Sequence, residues 1–350
     1  MKNFNIEHLD EGFREKMLVR LDDIAKPKGS MGRLEELAMK VGMIQNSFKP
    51  TLQNPHHILF SADHGVEVEG ISKSPREVTW QQTINFMKHG TAIAYLCKQH
   101  DIKLIVVDSG VDYDLPQDLG IVDYKVRKGT SNYLYEPAMS REEMNLCIEK
   151  GAEIVRKVHA EGCNVISFGE MGISNTSSSA VWMHLLTGIP LADCIGAGSG
   201  LNSEELAHKL DVLQRAVNNY KGDHTPEDII AYFGGFEMVM TVGAMLQAVE
   251  LRMTIIIDGF IMTACVLAAS KLYPEVLEYS IFGHKGDEKG HAMLLNYLKV
   301  RPILDLGMKL GEGTGAVASY PILRSAILMM SEMHTWSGLE DSKNLIEKYF

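Results

Sequence analysis

The chain has 350 residues, 45% apolar and 23% charged, a globular composition that excludes a disordered or fibrous protein. Its formal net charge of −11 disfavours non-specific binding to nucleic acid or to anionic membranes, both of which need a cationic footprint. Any phosphate group must therefore be held locally, by a few backbone amides and one or two cations.

In chain order, residues 6–23 and 33–47 are predicted helices with no strand between them. Short apolar runs then alternate with longer helical ones. The strand candidates are residues 57–61, 103–108, 164–168, 191–195, 254–257 and 280–282. Between them, Ser140-Arg141-Glu142-Glu143 is a capping box, Ser203-Glu204-Glu205 opens a helix with acids in its first turn, and Thr225-Pro226 places proline at a first helical position. Residues 316–333 and 339–350 are again helical. This alternation predicts an α/β fold, a mostly parallel, Rossmann-like sheet flanked by helices. Residues 51–315 are expected to form the catalytic domain, and residues 1–50 plus 316–350 a small helical domain.

Cys97, Cys147, Cys163, Cys194 and Cys265 are odd in number and never spaced C-x-x-C. Buried, reduced thiols are expected rather than a disulfide frame or a zinc site. Met1-Lys2-Asn3-Phe4-Asn5 leads into an acidic amphipathic stretch without a signal-peptide core, and the apolar region 253–269 is broken by Asp258 and Gly259. A cytoplasmic protein without a membrane span is expected.

Glycine with a polar neighbour follows almost every strand candidate: Asp63-His64-Gly65, Asp108-Ser109-Gly110, Gly169-Glu170-Met171-Gly172, Gly196-Ala197-Gly198-Ser199-Gly200, Asp258-Gly259 and Gly283-His284. Ligands of open α/β sheets bind beyond the carboxyl ends of the strands, so these turns point to a small-molecule site. The 196–200 run reads as a phosphate cradle, as a plain turn, or as a dinucleotide loop whose third glycine comes one residue early. Lys209, in the following helix, either supplies a cation to it or is solvated. In Leu310-Gly311-Glu312-Gly313-Thr314-Gly315 a carboxylate sits among glycines without the Lys-Ser/Thr of a nucleotide-triphosphate loop. Glu312 is either a general base with a raised pKa or a turn-solvating acid. Glu170 is a strand-end acid expected to face ligand. Asn175 and Thr176 either cap the next helix or contact the ribose and phosphate. Met171 and Met308 could wall an aromatic ligand. The scattered histidines, among them His56, His57, His64, His284 and His291, predict no metal site, and no nucleophile elbow is present.

A set of blocks then carries a family resemblance. They are Lys26-Pro27-Lys28-Gly29-Ser30-Met31-Gly32-Arg33, Ala62-Asp63-His64-Gly65-Val66, Ser74-Pro75, Gly129-Thr130-Ser131-Asn132, Glu136-Pro137-Ala138-Met139, Gly235-Phe236-Glu237 and Asp258-Gly259-Phe260, together with residues 169–176, 196–200 and 306–316. In this order the chain resembles the nicotinate-nucleotide:dimethylbenzimidazole phosphoribosyltransferases of cobalamin biosynthesis. The resemblance implies transfer of 5-phosphoribosyl from nicotinate mononucleotide to a benzimidazole by a homodimer, without cofactor or metal. It implies that Glu312 is the general base and Glu170 a second acid near the ribose. Ser74, Gln82, Met171 and Leu310 match positions that contact the aromatic acceptor. Gly198, Gly200 and Lys209 match the phosphate-holding segment. Lys28, Ser177-Ser178-Ser179 and Gly286-Asp287-Glu288 depart from the family pattern, and Trp80 beside Gln82 is expected to reshape the acceptor pocket. The alternatives are a purine or phenol acceptor, a two-subunit enzyme, a catalytically silent partner subunit, and a dinucleotide-dependent dehydrogenase.

Overall fold

The structure, a computed structural model, describes residues 2–196 and 200–339. Its six strands are β1 (His56–Ala62), β2 (Lys103–Gly110), β3 (Val122–Asp123), β4 (Val165–Met171), β5 (Thr254–Ile257) and β6 (Ser280–Phe282). They form one sheet in the order β3-β2-β1-β4-β5-β6, and every pairing is parallel. The α/β expectation is thus met by a doubly wound sheet: the chain runs outward from β1 to β3, returns to the other side of β1, and runs outward again. The reversal leaves a crevice beyond the carboxyl ends of β1 and β4. Their register sets Leu59 beside Gly169 and Phe60 beside Glu170.

Strands β1 and β5 are buried throughout because helices cover both faces, which is why residues 58–60 of β1 and 255–257 of β5 read as unbroken apolar runs rather than alternating ones. Helices Arg141–Ala160 and Phe236–Glu250 pack closely together, and Phe236–Glu250 also lies against β1, β2, β4 and β5. Phe236–Glu250 is buried over all but its last residue, so its hydrophobic pattern has no polar stripe.

The two ends of the chain meet. Helix Arg33–Gln45 packs against both Glu11–Asp23 and Thr314–Glu332, and Ile24 bridges Thr335 while Ala25 N–H donates to the His334 carbonyl at 2.8 Å. Thr314–Glu332 also packs on β4 and β5, carrying the segment before it onto the sheet.

Two sequence expectations are corrected. Residues 191–195 are not a strand: Leu191–Cys194 is one helical turn that follows Pro190. Leu191 and Cys194, three residues apart, are its buried face, a helical spacing rather than an alternating one. The first helix starts at Glu11 rather than at residue 6, because the Asp10 side chain accepts the Gly12 N–H and caps it. The helix opened by Ser203, with Glu204 and Glu205 in its first turn, is as expected, and Asn202 caps it in a box with Glu205. β3, two residues at the sheet edge, carries too little pattern to be seen in the sequence. The expected helix 339–350 lies, beyond Leu339, outside the described residues.

Ser140 forms its capping box with Glu143, and Thr225 accepts the Asp228 N–H ahead of Pro226, as the sequence predicts. Removing the Ser140 cap leaves a first-turn amide unsatisfied. Ser140→Ala should lower unfolding free energy by about 1 kcal/mol in urea denaturation, with an unchanged m-value.

Candidate active site

A cavity of about 230 Å³ opens beyond the ends of β4, β5 and β6. Glu170 and Met171 come from the end of β4, Asp258 and Gly259 from the turn after β5, His284 from the turn after β6, and Met308 to Glu312 from the segment before helix Thr314–Glu332. Ile173, Phe260, Ile261, Met171, Met308 and Leu310 provide apolar wall, and Asn175, Thr176 and Glu288 add polar groups.

The two glutamates are joined through the backbone. Glu170 Oε1 accepts the Glu312 N–H at 3.3 Å, while its Oε2 accepts from the Asn175 side chain. Glu312 Oε1 accepts from Gln82 Nε2 at 3.3 Å, and no group among the described residues stands at hydrogen-bonding geometry to Glu312 Oε2. Both residues are 6% exposed, so burial dominates their chemistry. Burial pushes Glu170 up to about 8, with Glu237 and Asp258 adding like charge, against hydrogen bonds from Asn175 and the Glu312 amide. Burial pushes Glu312 up to about 7, against the nearby Ile93 N–H and the Gln82 hydrogen bond. Burial alone would raise Asp258 too, but His284, 3.3 Å away, and the Gly259 and Ala316 amides hold it below its ordinary value. Of these three acids Asp258 is therefore ionised, while Glu170 and Glu312 are poised near neutrality.

Glu312 adopts φ +63°, a left-handed conformation costing a non-glycine residue about 1–2 kcal/mol. Gly313 follows at φ +85°, and a Cβ there would lie 2.0 Å from His57 Cε1, so only glycine fits.

Lys209 is buried, donates to Thr176 Oγ1 at 3.1 Å, and is pushed down to about 8 by burial, with Glu288 opposing. Thr176 and Glu288 line the cavity, so the lysine stands just behind its wall. Of the expected phosphate segment, Gly198 lies outside the described residues, and Gly200, at φ +100°, is not in the cavity lining. Glu288 reaches the Gly196 backbone, its Oε2 1.9 Å from where a Cβ would sit.

Other expected residues fall elsewhere. Ser74 lies half-buried in the loop before helix Glu77–Met87, its N–H 3.3 Å from Ser72 Oγ, and is not part of the cavity lining. Trp80 does not shape the pocket: two residues from Gln82 on the same helix, it points elsewhere and stacks on Tyr113 at 4.4 Å. The acids after β1 and β2 are structural. Asp63 accepts the Asp112 N–H, and Asp108 accepts the Gly110 and Val111 N–H groups and pairs with Lys125 at 2.9 Å. Of the departures, Ser178 Oγ lies 3.3 Å from His64 Nδ1, and His64 Nε2 pairs with Glu237 at 2.6 Å beneath Gly172. Lys28 pairs with Asp22 at the surface.

Asp258, His284 and Glu288 were not among the predicted site residues. The first two sit in strand-end glycine turns visible in the sequence, and Glu288 only comes in through the fold. All five cysteines are free and buried. Among the described residues no group of three metal-ligating side chains is close enough to hold an ion, and no helix is long and apolar enough to cross a membrane.

Fold and cavity define a doubly wound α/β protein with a small-molecule site at the switch side of its sheet, walled by apolar side chains and carrying poised carboxyl groups. The family profile described as phosphoribosyltransferase matches residues 6–338, and the chain belongs to that family. It is 58% identical over 350 residues to the nicotinate-nucleotide–dimethylbenzimidazole phosphoribosyltransferase of Phocaeicola vulgatus, covering all of both chains. It is 42% identical to the protein of that name from Dechloromonas aromatica, over 98% of this chain and all of the relative. The solved structure of CobT from Thermus thermophilus matches with a TM-score of 0.90 at 36% identity, covering 94% of this chain and 98% of that one.

An NMR titration of ¹³C-labelled glutamate should place Glu312 near 7 and Glu170 near 8. The Gln82 amide stabilises the ionised carboxylate, so Gln82→Leu should move the Glu312 midpoint upward. A midpoint that stays or falls would show that Gln82 does not donate to Glu312.

Proposed function

We propose that the protein transfers the 5-phosphoribosyl group of nicotinate mononucleotide to 5,6-dimethylbenzimidazole or a related aromatic base. The products are α-ribazole 5′-phosphate and nicotinate, for assembly of the cobalamin nucleotide loop. The observation that carries this reading is the placement of Glu312 and Glu170 in one apolar-walled cavity, bonded to each other through the Glu312 amide. The names of the full-length relatives support the same substrates.

The chemistry follows from the groups present. An unprotonated ring nitrogen of the acceptor attacks C1′ while the C1′–N bond to the pyridinium breaks. The bonding pair returns to the nicotinate nitrogen, which leaves without needing a proton. The acceptor is then a cation bearing N–H, and Glu312 takes that proton. A carboxyl near 7 suits the task, being substantially ionised at neutral pH yet basic enough to accept. The transition state gathers positive charge on the sugar, as in other glycosyl transfers, and Glu170 faces that charge. Burial keeps Glu170 protonated near neutrality until a pyridinium cation beside it favours the ionised form.

Met171 and Leu310 would hold the flat acceptor, with Gln82 and Ser74 at its edge. Asn175, Thr176, Gly198, Gly200 and Lys209 would hold ribose and phosphate. Residues 1–50 with 316–350 would form a helical domain beside the sheet domain. The protein would act as a homodimer in the cytoplasm, where its buried thiols stay reduced.

Purified protein should release nicotinate from the mononucleotide in the presence of dimethylbenzimidazole, followed by chromatography and mass. Strict dependence on adenine or a phenol would reassign the acceptor, and no release with any acceptor would favour a silent partner subunit. Glu312→Gln should cut turnover by about 10²-fold or more while keeping mononucleotide binding, and near-normal turnover would remove Glu312 as the base. Lys209→Met, neutral and of similar length, should raise KM for the mononucleotide by about 10-fold or more, because charge-assisted hydrogen bonds to phosphate are strong.

A further inference from the structure

We propose that His57, in the core of the sheet, is a positioning residue that holds Glu312 in its working conformation by gripping the Glu312 carbonyl. This rests on the reading of Glu312 as the base.

His57 is fully buried on β1, between β2 and β4. Its Nε2 lies 3.0 Å from the Glu312 carbonyl oxygen and its Nδ1 lies 2.8 Å from Ser167 Oγ. A carbonyl can only accept, so Nε2 carries the hydrogen and donates. Burial pushes the ring down to about 4, against the charge of Asp258 and the carbonyl bond, so it is neutral and Nδ1 is bare. Ser167 therefore donates to Nδ1 and fixes the tautomer that serves Glu312. The chain of groups runs from Ser167 on β4, through His57 on β1, to the loop that bears the base.

The grip is needed because Glu312 is left-handed and belongs to no secondary structure. Its N–H is held by Glu170 and its C=O by His57, so both sides of the strained residue are anchored. Gly169 on β4 permits the approach: a Cβ there would sit 2.2 Å from the Glu312 oxygen and 2.6 Å from His57 Nε2. Without the donor the carbonyl would be buried unpaired, and rotation of the 312–313 peptide to relieve it would swing the carboxylate out of line. A displacement of about 1 Å in a reacting group can cost about 10²-fold in rate.

The test compares His57→Leu, which fills similar space without a donor, with His57→Gln, whose amide can still donate to the carbonyl. Folding is checked by thermal melting of each. His57→Leu should lose about 10- to 100-fold in kcat with KM for nicotinate mononucleotide changed less than about threefold. His57→Gln should recover most of that loss. The Glu312 carboxyl, titrated by NMR in His57→Leu, should fall from about 7 towards the ordinary glutamate value as the loop releases it to water. A folded His57→Leu with normal kcat and an unmoved Glu312 titration overturns the proposal. So does a loss in kcat that His57→Gln fails to restore while the titration stays put, since that is packing alone. Should His57→Leu not fold, Ser167→Ala serves instead: reduced kcat with a lowered Glu312 titration supports the grip, and normal values for both overturn it. The titration needs no turnover, so a failed grip is distinguishable from a failed assignment of Glu312 as base, which Glu312→Gln reports.

Discussion

The approach of residues 311–313 to the seam between β1 and β4 is the constraint on which the site depends. At that seam the winding of the sheet reverses, and a crevice is left where two neighbouring crossovers depart in opposite directions. The segment before helix Thr314–Glu332 is laid across it and meets Gly169 and His57 at van der Waals limits. A side chain at position 169 would push the loop away, and a side chain at 313 would collide with the imidazole. Close contact, strain at Glu312 and the amide bond to Glu170 are one arrangement seen from three sides.

That closeness also sets the electrostatics. Carboxyl groups taken out of water resist ionisation, and among the described residues Glu170 and Glu312 have no cationic partner to reverse the effect. Asp258 differs because His284 and two amides face it, so it carries charge where its neighbours hesitate. Acids within one cavity thus have opposite tendencies, Asp258 towards charge and Glu170 and Glu312 away from it. An ionised Asp258 in turn raises the other two, which ties their titration together. Lys209, buried behind Thr176, brings a cation to the far side of the cavity.

Much of this was visible in the residues. Alternating apolar runs and caps at Ser140 and Thr225 announced the parallel sheet and its helices, a strand-end acid beside glycine announced Glu170, and an acid among glycines ahead of a helix announced Glu312. Pattern failed where elements were too short or too mixed to have a period: Leu191–Cys194 is one turn, and β3 is two residues. It also failed where one signal has two uses. Asp63 and Asp108 carry the same strand-end signature as Glu170 and Asp258, yet backbone amides bind the first two and the cavity receives the others. Trp80 and Gln82 are neighbours in sequence and face apart on their helix.

The sequence alone determined the fold class and the chemistry available, because burial patterns, caps and glycine turns are local consequences of side-chain size and polarity. It also determined the family, through motifs spread along nearly the whole chain. Only the tertiary structure decided which acids share a cavity, how far their ionisation shifts, and that a core histidine reaches the loop bearing Glu312. Those outcomes depend on distances between residues 142 to 255 positions apart, which no local pattern encodes. His57 reads in the sequence as one apolar-strand histidine among thirteen, and its meaning comes from the carbonyl it meets.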